Sequence, residues 1–329
     1  MKSKLEELVD RYRALGIDRQ LDYDKFYLYS IITHSTAIEG STITELENQI
    51  MFDNGIALKG KSLIEQNMNL DLKAAYEQAL VFAREHRDIT VDRLKELAAL
   101  TMKNTGSVYH TMLGDFSSAA GDLRLLNVTA GVGGKSYMNY TKVPGRLEKF
   151  CTGLNNQRRQ SEGMSMQQLY DMSFDAHFNL VTIHPWADGN GRMARLVMNW
   201  LQFEYGLSPT RIFADDKEEY IKALVATREA DDLNIFRRFM TDISERHLAN
   251  DIAAYRESIG EPEVVYKPLE TDAQIIALLR TNPRHSARTL ADTIGISIKG
   301  IEKQLAKLKA QGTIKRNGPA KGGTWEIID

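Results

Sequence analysis

The sequence is poor in the features that would stabilise a protein covalently or attach it to a membrane. It has 329 residues and one cysteine, Cys151, which excludes an intrachain disulfide and a cysteine-cluster metal site and predicts a reducing, cytoplasmic location. No apolar run is long enough to cross a bilayer, and the charged N-terminus, MKSKLEELVDRYR, lacks the apolar core of a signal peptide. The formal net charge of -2 excludes a whole-chain attraction to nucleic acid.

Signals for β-strands are also scarce, and most of the chain has helical periodicity. Apolar residues between Leu169 and Ile183 recur at steps of three and four and form two stripes, which predicts a buried helix central to its domain. The segment from Met193 to Leu201 has the same character. Extended structure is expected only near residues 135–143 (KSYMNYTKV) and close to the C-terminus, so the predicted fold class is mainly α.

A polar stretch, HPWADGNGRMAR at residues 184–195, joins these two apolar segments. Pro185 must end the first helix because proline lacks the backbone N–H, so His184 lies at a helix end where its ring can face a cleft. The next helix should begin near Asn190 or Gly191. Its free N–H groups, together with the glycines of the stretch, suit a bound anion.

The charged residues of this stretch fit a polyphosphate carrying Mg²⁺. Arg192 and Arg195 are three positions apart on one helix face, and two arginines at a helix N-terminus oppose the macrodipole unless an anion joins them. Asp188 is placed to hold Mg²⁺, and His184 is the group able to accept a proton near neutral pH. A glycine-rich turn with surface arginines is the competing interpretation, which the whole set at this spacing disfavours.

The stretch closely resembles the signature of the Fic family, HPFx(D/E)GNGRxxR, with Trp186 in place of the usual phenylalanine. The resemblance implies a Fic-type helical core and transfer of AMP from ATP to a Ser, Thr or Tyr hydroxyl of a protein. It implies that His184 deprotonates that hydroxyl and that Asp188 holds Mg²⁺. The nucleotide-binding residues that it implies are Gly189, Asn190, Gly191, Arg192, Arg195 and Tyr220. A helical core tyrosine is the alternative interpretation of Tyr220.

A second stretch, THSTAIEGSTITE at residues 33–45, has the pattern of a helix end, a turn and a new helix start. Gly40 is a natural stop, and Thr44 and Glu47 have the spacing of a capping box. Glu39 falls in the last turn of the first helix. The helix dipole opposes an acid there, so either a cationic partner is expected or Glu39 faces water.

The segment from Ser35 to Gly40 also resembles the inhibitory pattern (S/T)xxxE(G/N) of Fic proteins that carry their own brake. The resemblance implies that Glu39 pairs with Arg195, occupies the place of the γ-phosphate of ATP and autoinhibits the enzyme. The same glutamate could instead align a water molecule for removal of AMP. The sequence leaves both roles open.

Residues 130–136, AGVGGKS, superficially match a phosphate-binding P-loop. Thr129 stands where that motif needs glycine, and the following segment, SYMNYTKVP, is predicted to be extended rather than helical. In Fic proteins this region is a β-hairpin flap that aligns the target by strand addition. The flap residues are then Tyr137, Met138, Asn139 and Tyr140, and an ordinary surface hairpin is the alternative.

The C-terminal region differs in organisation and charge. Residues 258–271 contain two of the seven prolines and little periodicity, which indicates a linker. Three helical and two strand-like segments follow over 272–329, an order that resembles a winged helix-turn-helix. Ten Lys and Arg from Glu270 onward oppose six Asp and Glu. Candidate contacts to DNA phosphates are Lys299, Lys303 and Lys321, with docking of a protein as the alternative.

The sequence therefore predicts four regions: an N-terminal helical region with the inhibitory helix (1–105), a Fic catalytic domain (106–257), a linker (258–271) and a winged helix-turn-helix (272–329). The predicted function is that of an autoinhibited protein adenylyltransferase using ATP and Mg²⁺. Its expected partner is a hydroxyl side chain of a protein, which could be this protein itself. DNA is a further candidate partner, and no binding to a membrane is expected. Whether the chain forms a homodimer stays open. The alternatives are removal of AMP through Glu39 and a DNA-binding regulator that senses nucleotide. His184 favours catalysis, since a sensor needs no base.

Overall fold

The computed structural model describes residues 2–20, 23–130, 136–260, 271–294, 296–318 and 323–328. They belong to two compact units, Met1–Tyr255 and Arg256–Asp329. Lys321, Gly131–Lys135 of the glycine-rich segment and most of the predicted linker lie outside the described residues. Within the described ranges, no helix is long and apolar enough to cross a membrane.

The described residues of the first unit are mainly helical and include one short hairpin. Its helices are α1 (Lys4–Ala14), α2 (Tyr23–Ile38), α3 (Glu45–Asn54), α4 (Leu63–Arg84), α5 (Val91–Thr101), α6 (Val143–Arg159), α7 (Met166–Ile183), α8 (Asn190–Glu204), α9 (Lys217–Ala230) and α10 (Leu233–Ser258), the last of which runs past Tyr255. The hairpin pairs β1 (Val108–Thr111) with β2 (Gly114–Ser117). The sequence signals for this hairpin were missed.

Helices α7 and α8 form the centre of this unit and pack against each other, as the two apolar segments predicted. The fully buried residues include Phe174 of α7 and Trp200 of α8. Helix α7 ends at Ile183, and His184 follows it in the left-handed conformation with φ of 53°. The polar loop is therefore held between two elements that the core keeps in place.

The N-terminal helices share this hydrophobic core. Leu5 and Val9 of α1 are fully buried in the same cluster as Tyr76 of α4 and Trp200 of α8. The boundary predicted between residues 105 and 106 therefore falls inside one compact unit. The division into an N-terminal helical region and a catalytic domain stays a prediction.

The extended segment predicted over residues 135–143 is wrong in its C-terminal half. A single antiparallel bridge joins Thr129 to Ser136, after which Tyr140–Lys142 form a 3-10 helix that leads into α6. The side chain of Asn139 accepts a hydrogen bond from the N–H of Thr141 at 3.0 Å and caps this turn. Pro144 occupies the first turn of α6, where its fixed φ suits a helix. Local capping therefore outweighs the β-propensity of the tyrosines.

The second unit has the predicted order of a winged helix. Its elements are α11 (Thr271–Thr281), α12 (Ala287–Ile294), α13 (Ile298–Ala310), β3 (Ile314–Asn317) and β4 (Thr324–Ile327). Strands β3 and β4 are antiparallel, and the side chain of Ser297 caps α13 by accepting a hydrogen bond from the N–H of Gly300. Buried Ile275, Leu290 and Ile301, one from each helix, belong to a separate core.

A buried polar network fixes the turn between α2 and α3. Asn69 of α4 is fully buried, and its Oδ1 accepts hydrogen bonds from Thr36 Oγ1 and Asn48 Nδ2, both at 2.8 Å. Its Nδ2 donates to Ser41 Oγ at 3.1 Å and to the carbonyl of Glu65 at 2.9 Å. One side chain thus holds the segments on both sides of Glu39.

Replacing Asn69 should destabilise the first unit. In Asn69→Ala, Thr36, Asn48 and Ser41 each lose one buried hydrogen-bond partner, and we expect a loss of about 2–4 kcal/mol in the free energy of unfolding. Urea unfolding measures it. Asn67→Ala on the same helix is the matched control, expected within about 0.5 kcal/mol of wild type. Equal midpoints for the two variants would contradict this role.

Candidate active site

Most of the predicted catalytic and nucleotide-binding residues line a pocket of about 260 Å³ between the end of α7 and the start of α8, and Arg192 is not among its lining residues. The pocket combines the polar loop with residues of α2, the flap and α9. The residues that line it include Glu39, Tyr137, His184, Asp188, Gly189, Asn190, Gly191, Arg195, Lys217 and Tyr220. Residues distant in sequence thus form one cleft.

The loop itself is held by one aromatic anchor and one amide. Trp186 is fully buried, and its Nε1 donates to the carbonyl of Gly121 at 3.2 Å. The side chain of Asn190 accepts from the N–H of Trp186 at 3.1 Å and donates to its carbonyl at 2.9 Å. Gly189, at φ of 81°, allows the chain to enter α8. The Asn190 amide therefore shapes the loop, while the backbone N–H groups of the helix start remain to meet an anion.

His184 is oriented so that one ring nitrogen can act as a base. Its Nδ1 lies 3.2 Å from the carbonyl oxygen of Val181. A carbonyl only accepts, so Nδ1 carries the proton and Nε2 keeps a free lone pair. Burial lowers the pKa of His184 to about 4. The imidazole is therefore neutral at physiological pH.

Arg124 is a part of the site that the sequence analysis missed. Its buried guanidinium donates from Nε to the carbonyl of His184 at 2.8 Å and also donates to the carbonyl of Met138. Its own N–H donates to the carbonyl of Pro185 at 3.0 Å. Arg124 thus ties the flap to the residue that would act as base. An isolated arginine in GDLRLLNV gives no periodic or motif signal for this role.

Arg195 makes the ion pair with Glu39 that the resemblance implied. Its Nη2 lies 2.6 Å from Glu39 Oε1 and 3.0 Å from the carbonyl of Ser35, and its Nε donates to Ser35 Oγ at 2.8 Å. Arg195 is buried, with 3% of its surface exposed. Helices α2 and α8 are therefore joined by a desolvated, charge-assisted contact.

Glu39 is held in its charged form. Burial favours the protonated acid, yet the attraction of Arg195, with smaller contributions from Arg192 and Lys217, outweighs burial and holds the pKa of Glu39 below its usual value. A Cβ atom at Gly191 would lie 2.8 Å from Glu39 Oε1. Glycine at this position is thus needed for the carboxylate to reach the start of α8.

Arg192 is a buried cation whose ion pair with Asp188 is long. Its Nη2 lies 3.8 Å from Asp188 Oδ1 and 3.0 Å from the sulfur of Met102, and its Nε has no hydrogen-bond partner among the described residues. Burial lowers the pKa of this guanidinium from its usual value. A buried, underpaired guanidinium at a helix start is suited to a phosphate.

Asp188 is the residue of the loop that fits a divalent cation. Its Oδ1 accepts from the N–H of Gly189 at 2.6 Å, and its side chain is 60% exposed. The described residues contain no group of three or more metal-ligating side chains. One largely exposed carboxylate at this place could hold Mg²⁺, which is commonly bound by one or two carboxylates together with substrate phosphates.

Tyr220 combines the two interpretations that the sequence left open. Its ring is buried, and its hydroxyl lies 3.1 Å from Nε2 of His177, while the residue also lines the pocket.

In the flap, Tyr137 lies over His184, and the N–H of Tyr140 donates to Asn127 Oδ1 at 3.1 Å. Lys299 and Lys303 belong to the second unit and are exposed on α13.

The helical core, the loop between α7 and α8 and the Glu39–Arg195 contact together define a Fic-type domain followed by a winged helix. Residues 88–202 match the Fic/DOC family model, and residues 269–315 match the model of winged helix-turn-helix DNA-binding domains. The central region of the chain is therefore similar to the Fic/DOC family.

Curated relatives carry the name protein adenylyltransferase. Fic-1 of Caenorhabditis briggsae is 27% identical over 244 residues, and Fic of Drosophila melanogaster is 28% identical over 250 residues. These alignments include 74% and 75% of this chain but 44% and 46% of the two relatives. The chain thus spans less than half the length of the curated relatives that it matches.

Solved structures share the fold at lower identity. A fragment of Fic-1 from Caenorhabditis elegans has a TM-score of 0.61 and 23% identity, with 77% of this chain and 71% of that chain covered. A Fic family protein from Desulfovibrio desulfuricans G20 has a TM-score of 0.62 and 19% identity, with 99% and 94% covered. The second likeness extends across nearly all of both chains.

The histidine beneath the pocket should make stability depend on pH. Burial lowers the pKa of His177 to about 3, so between that value and about 6.5 the unfolded chain binds a proton that the folded chain refuses. Stability is therefore lost as the pH falls through this window. His177→Gln, which cannot titrate, should reduce the loss by about 1.4 kcal/mol for each pH unit below about 6.

Urea unfolding between pH 7 and pH 5 measures this slope. Tyr220→Phe is the control, because it removes the same hydrogen bond and keeps the histidine. The explanation fails if wild type and His177→Gln lose stability equally on acidification.

Proposed function

We propose that the first unit is a protein adenylyltransferase that transfers AMP from ATP to a hydroxyl side chain of a protein and that Glu39 inhibits it. The observation that carries this proposal is the pocket that His184, Asp188 and the buried Arg195 line at the start of α8, with the buried Arg192 on the same helix. The names of the relatives agree with it. The cytoplasmic location expected from the single cysteine is part of the same proposal.

Binding of ATP would use the positive charge that the fold concentrates at the start of α8. The N–H groups at the start of α8 and the Arg192 side chain bind the phosphates. Arg195 binds the γ-phosphate once Glu39 is no longer paired with Arg195. The acceptor hydroxyl then lies in line with the bond between the α-phosphorus and its bridging oxygen. Fixing both reactants in this geometry supplies much of the acceleration.

His184 then moves one proton. As the acceptor oxygen attacks the α-phosphorus, Nε2 of His184 takes the hydroxyl proton, and pyrophosphate leaves with the bridging oxygen. The hydrogen bond from Nδ1 to Val181 keeps the ring in the required tautomer. The negative charge of bound nucleotide raises the pKa of the imidazole and so makes it a better base than in the empty pocket.

Asp188 would hold Mg²⁺ at the exposed side of the loop. A bound Mg²⁺ supplies charge neutralisation of the phosphates. The chain contributes the carboxylate, its orientation through the N–H of Gly189, and the nearby guanidinium of Arg192. ATP and Mg²⁺ are thus the small molecules that we propose for this site.

The inhibitory role of Glu39 follows from competition for Arg195. The carboxylate occupies the guanidinium that the γ-phosphate would need, and two anions cannot share it at contact distance. ATP can then enter only in a different orientation, in which the α-phosphate is not in line with the acceptor. Removal of AMP by a water aligned on Glu39 is a less favoured use of the same carboxylate, because its close pairing with Arg195 leaves it a poor base.

Labelling with α-labelled ATP and Mg²⁺ tests the assigned roles. Glu39→Gly should raise incorporation into protein by about tenfold or more, because it frees Arg195 for the nucleotide. His184→Ala in the Glu39→Gly background should lower it by about 10²–10⁴-fold through loss of the base.

The control is Glu85→Gly, which removes an exposed glutamate just after the end of α4 and should leave incorporation at the wild-type level. Equal incorporation by wild type and Glu39→Gly would remove the inhibitory role. Full labelling in the variant without His184 would remove the assigned base.

A second candidate function, binding of DNA, is favoured by one observation on the second unit. Residues 269–315 match a family of DNA-binding winged helices, and Lys299 and Lys303 lie exposed one turn apart on α13, the third helix. Such a pair can neutralise two phosphates. The winged helix would then bring the first unit to DNA, where that unit would act as an enzyme or as a nucleotide-dependent regulator. Docking of α13 to another protein is the alternative.

Mobility shifts of the full chain with duplex DNA test this function. Replacing Lys299 and Lys303 together by glutamate should weaken binding to all sequences and reduce the slope of log Kd against log salt by about two units. Lys59→Glu, an exposed charge reversal in the first unit, is the control. A shift that persists unchanged as salt is raised, or no shift at low salt, would argue against DNA binding.

A further inference from the structure

The flap covers the histidine of the site with an aromatic ring. The rings of Tyr137 and His184 are stacked, with centroids 3.6 Å apart and planes 15° from parallel. On the Tyr137 ring lies the guanidinium of Arg228, with its central carbon 5.4 Å from the ring centroid. Three planar groups, from the flap, the loop and α9, therefore contact one another over the pocket.

Tyr137 is held in this position by its backbone. Its N–H donates to the carbonyl of Val128 at 3.0 Å, and the bridge between Thr129 and Ser136 precedes it directly. Arg124 donates to the carbonyl of the next residue, Met138, and to the carbonyl of His184. One buried guanidinium thus fixes both partners of the stack relative to each other.

His184 needs such a partner, because its other ring contact is weak. The residue follows the end of α7 with φ of 53°, and the hydrogen bond from Nδ1 to the carbonyl of Val181 is 3.2 Å long. A single long hydrogen bond leaves an imidazole free to rotate about its side-chain torsions. Stacking of the Tyr137 ring on the imidazole of His184 removes that freedom and keeps water from one face of the imidazole.

We propose that Tyr137 is a positioning residue: its ring orients His184 and excludes water from it, so that the acceptor of AMP is a protein hydroxyl and not water. Arg228 supports this role by holding the Tyr137 ring from its outer face. The charged groups that face His184 are Arg124, Arg228 and Asp188. This inference rests on the proposed transfer of AMP. It gives Tyr137 the role of orienting the base, His184, in addition to any contact with the target protein.

The proposal is tested first without catalysis. Diethyl pyrocarbonate modifies neutral imidazoles that solvent can reach, and mass spectrometry of the tryptic peptide 160–192 separates His184 from the fully buried His177, which serves as an internal reference. In the full chain, Tyr137→Ala should raise the modification rate of His184 by up to about tenfold, the factor that corresponds to the upper range of aromatic pair energies. Tyr137→Phe keeps the ring and should modify at the wild-type rate.

Tyr140→Ala is the matched flap control, since its side chain makes no ring contact with His184 among the described residues. An unchanged rate in Tyr137→Ala would overturn the proposal. So would an equal rise in Tyr137→Phe, which would assign the effect to the hydroxyl or to general loosening of the flap.

The second measurement is the fate of the labelled AMP. In the Glu39→Gly background, Tyr137→Ala should shift the product from protein-bound AMP toward free AMP, and Tyr137→Phe should restore the ratio. A variant that loses both products in proportion would show a structural role only and would overturn the proposal. If no variant transfers AMP, the proposed function fails, while the modification rates still decide whether Tyr137 shields the histidine.

Discussion

The buried guanidinium of Arg195 is the contact on which the rest of the site depends. It lies near the start of α8 and receives its neutralising charge from Glu39, which directly follows the end of α2. A buried cation deprived of its partner costs about 3–5 kcal/mol, so Glu39 leaves readily only if a second anion arrives. Under the proposed function, inhibition and nucleotide binding are therefore alternative ways to neutralise one charge.

This constraint explains why the surroundings of Glu39 are so heavily bonded. Asn69 connects the end of α2, the following turn, α3 and α4. Glu65 adds to it by accepting hydrogen bonds from the N–H and the hydroxyl of Thr42. A carboxylate can compete with a multiply charged phosphate only if its position requires no further ordering, and these bonds provide that preorganisation.

Short-range patterns in the sequence predicted much of the site. The helix end at Pro185, the start at Asn190, the capping box of Thr44 and Glu47 and the pairing of Glu39 with Arg195 are all present. Each depends on a local motif or on a resemblance that names both partners. The order of the winged helix was likewise predictable from periodicity and turn residues.

Features set by distant contacts were not predictable. Arg124 acts through three carbonyl groups that only the fold brings together, and no pattern around it indicates this. The hairpin of β1 and β2 was missed because its strands have four residues each, too few for alternation to stand out. The helical turn at Tyr140 was misread because β-propensity was weighed above the capping by Asn139 and the fixed φ of Pro144.

Under the proposed function, the shared core of the first unit limits the ways in which inhibition by Glu39 can be lost. Residues 1–44 contain Leu5, Val9, Tyr12, Ile31 and Ile32, all nearly inaccessible to solvent. Each such side chain contributes about 1.5–3 kcal/mol through burial, so their sum is comparable to the whole stability of a typical domain. A nick by a protease or a later translation start that discarded residues 1–44 would yield an unfolded chain, whereas a single codon change at Glu39 removes none of these buried side chains. If Glu39 inhibits the enzyme as proposed, forms that escape inhibition should therefore arise by missense change and not by shortening.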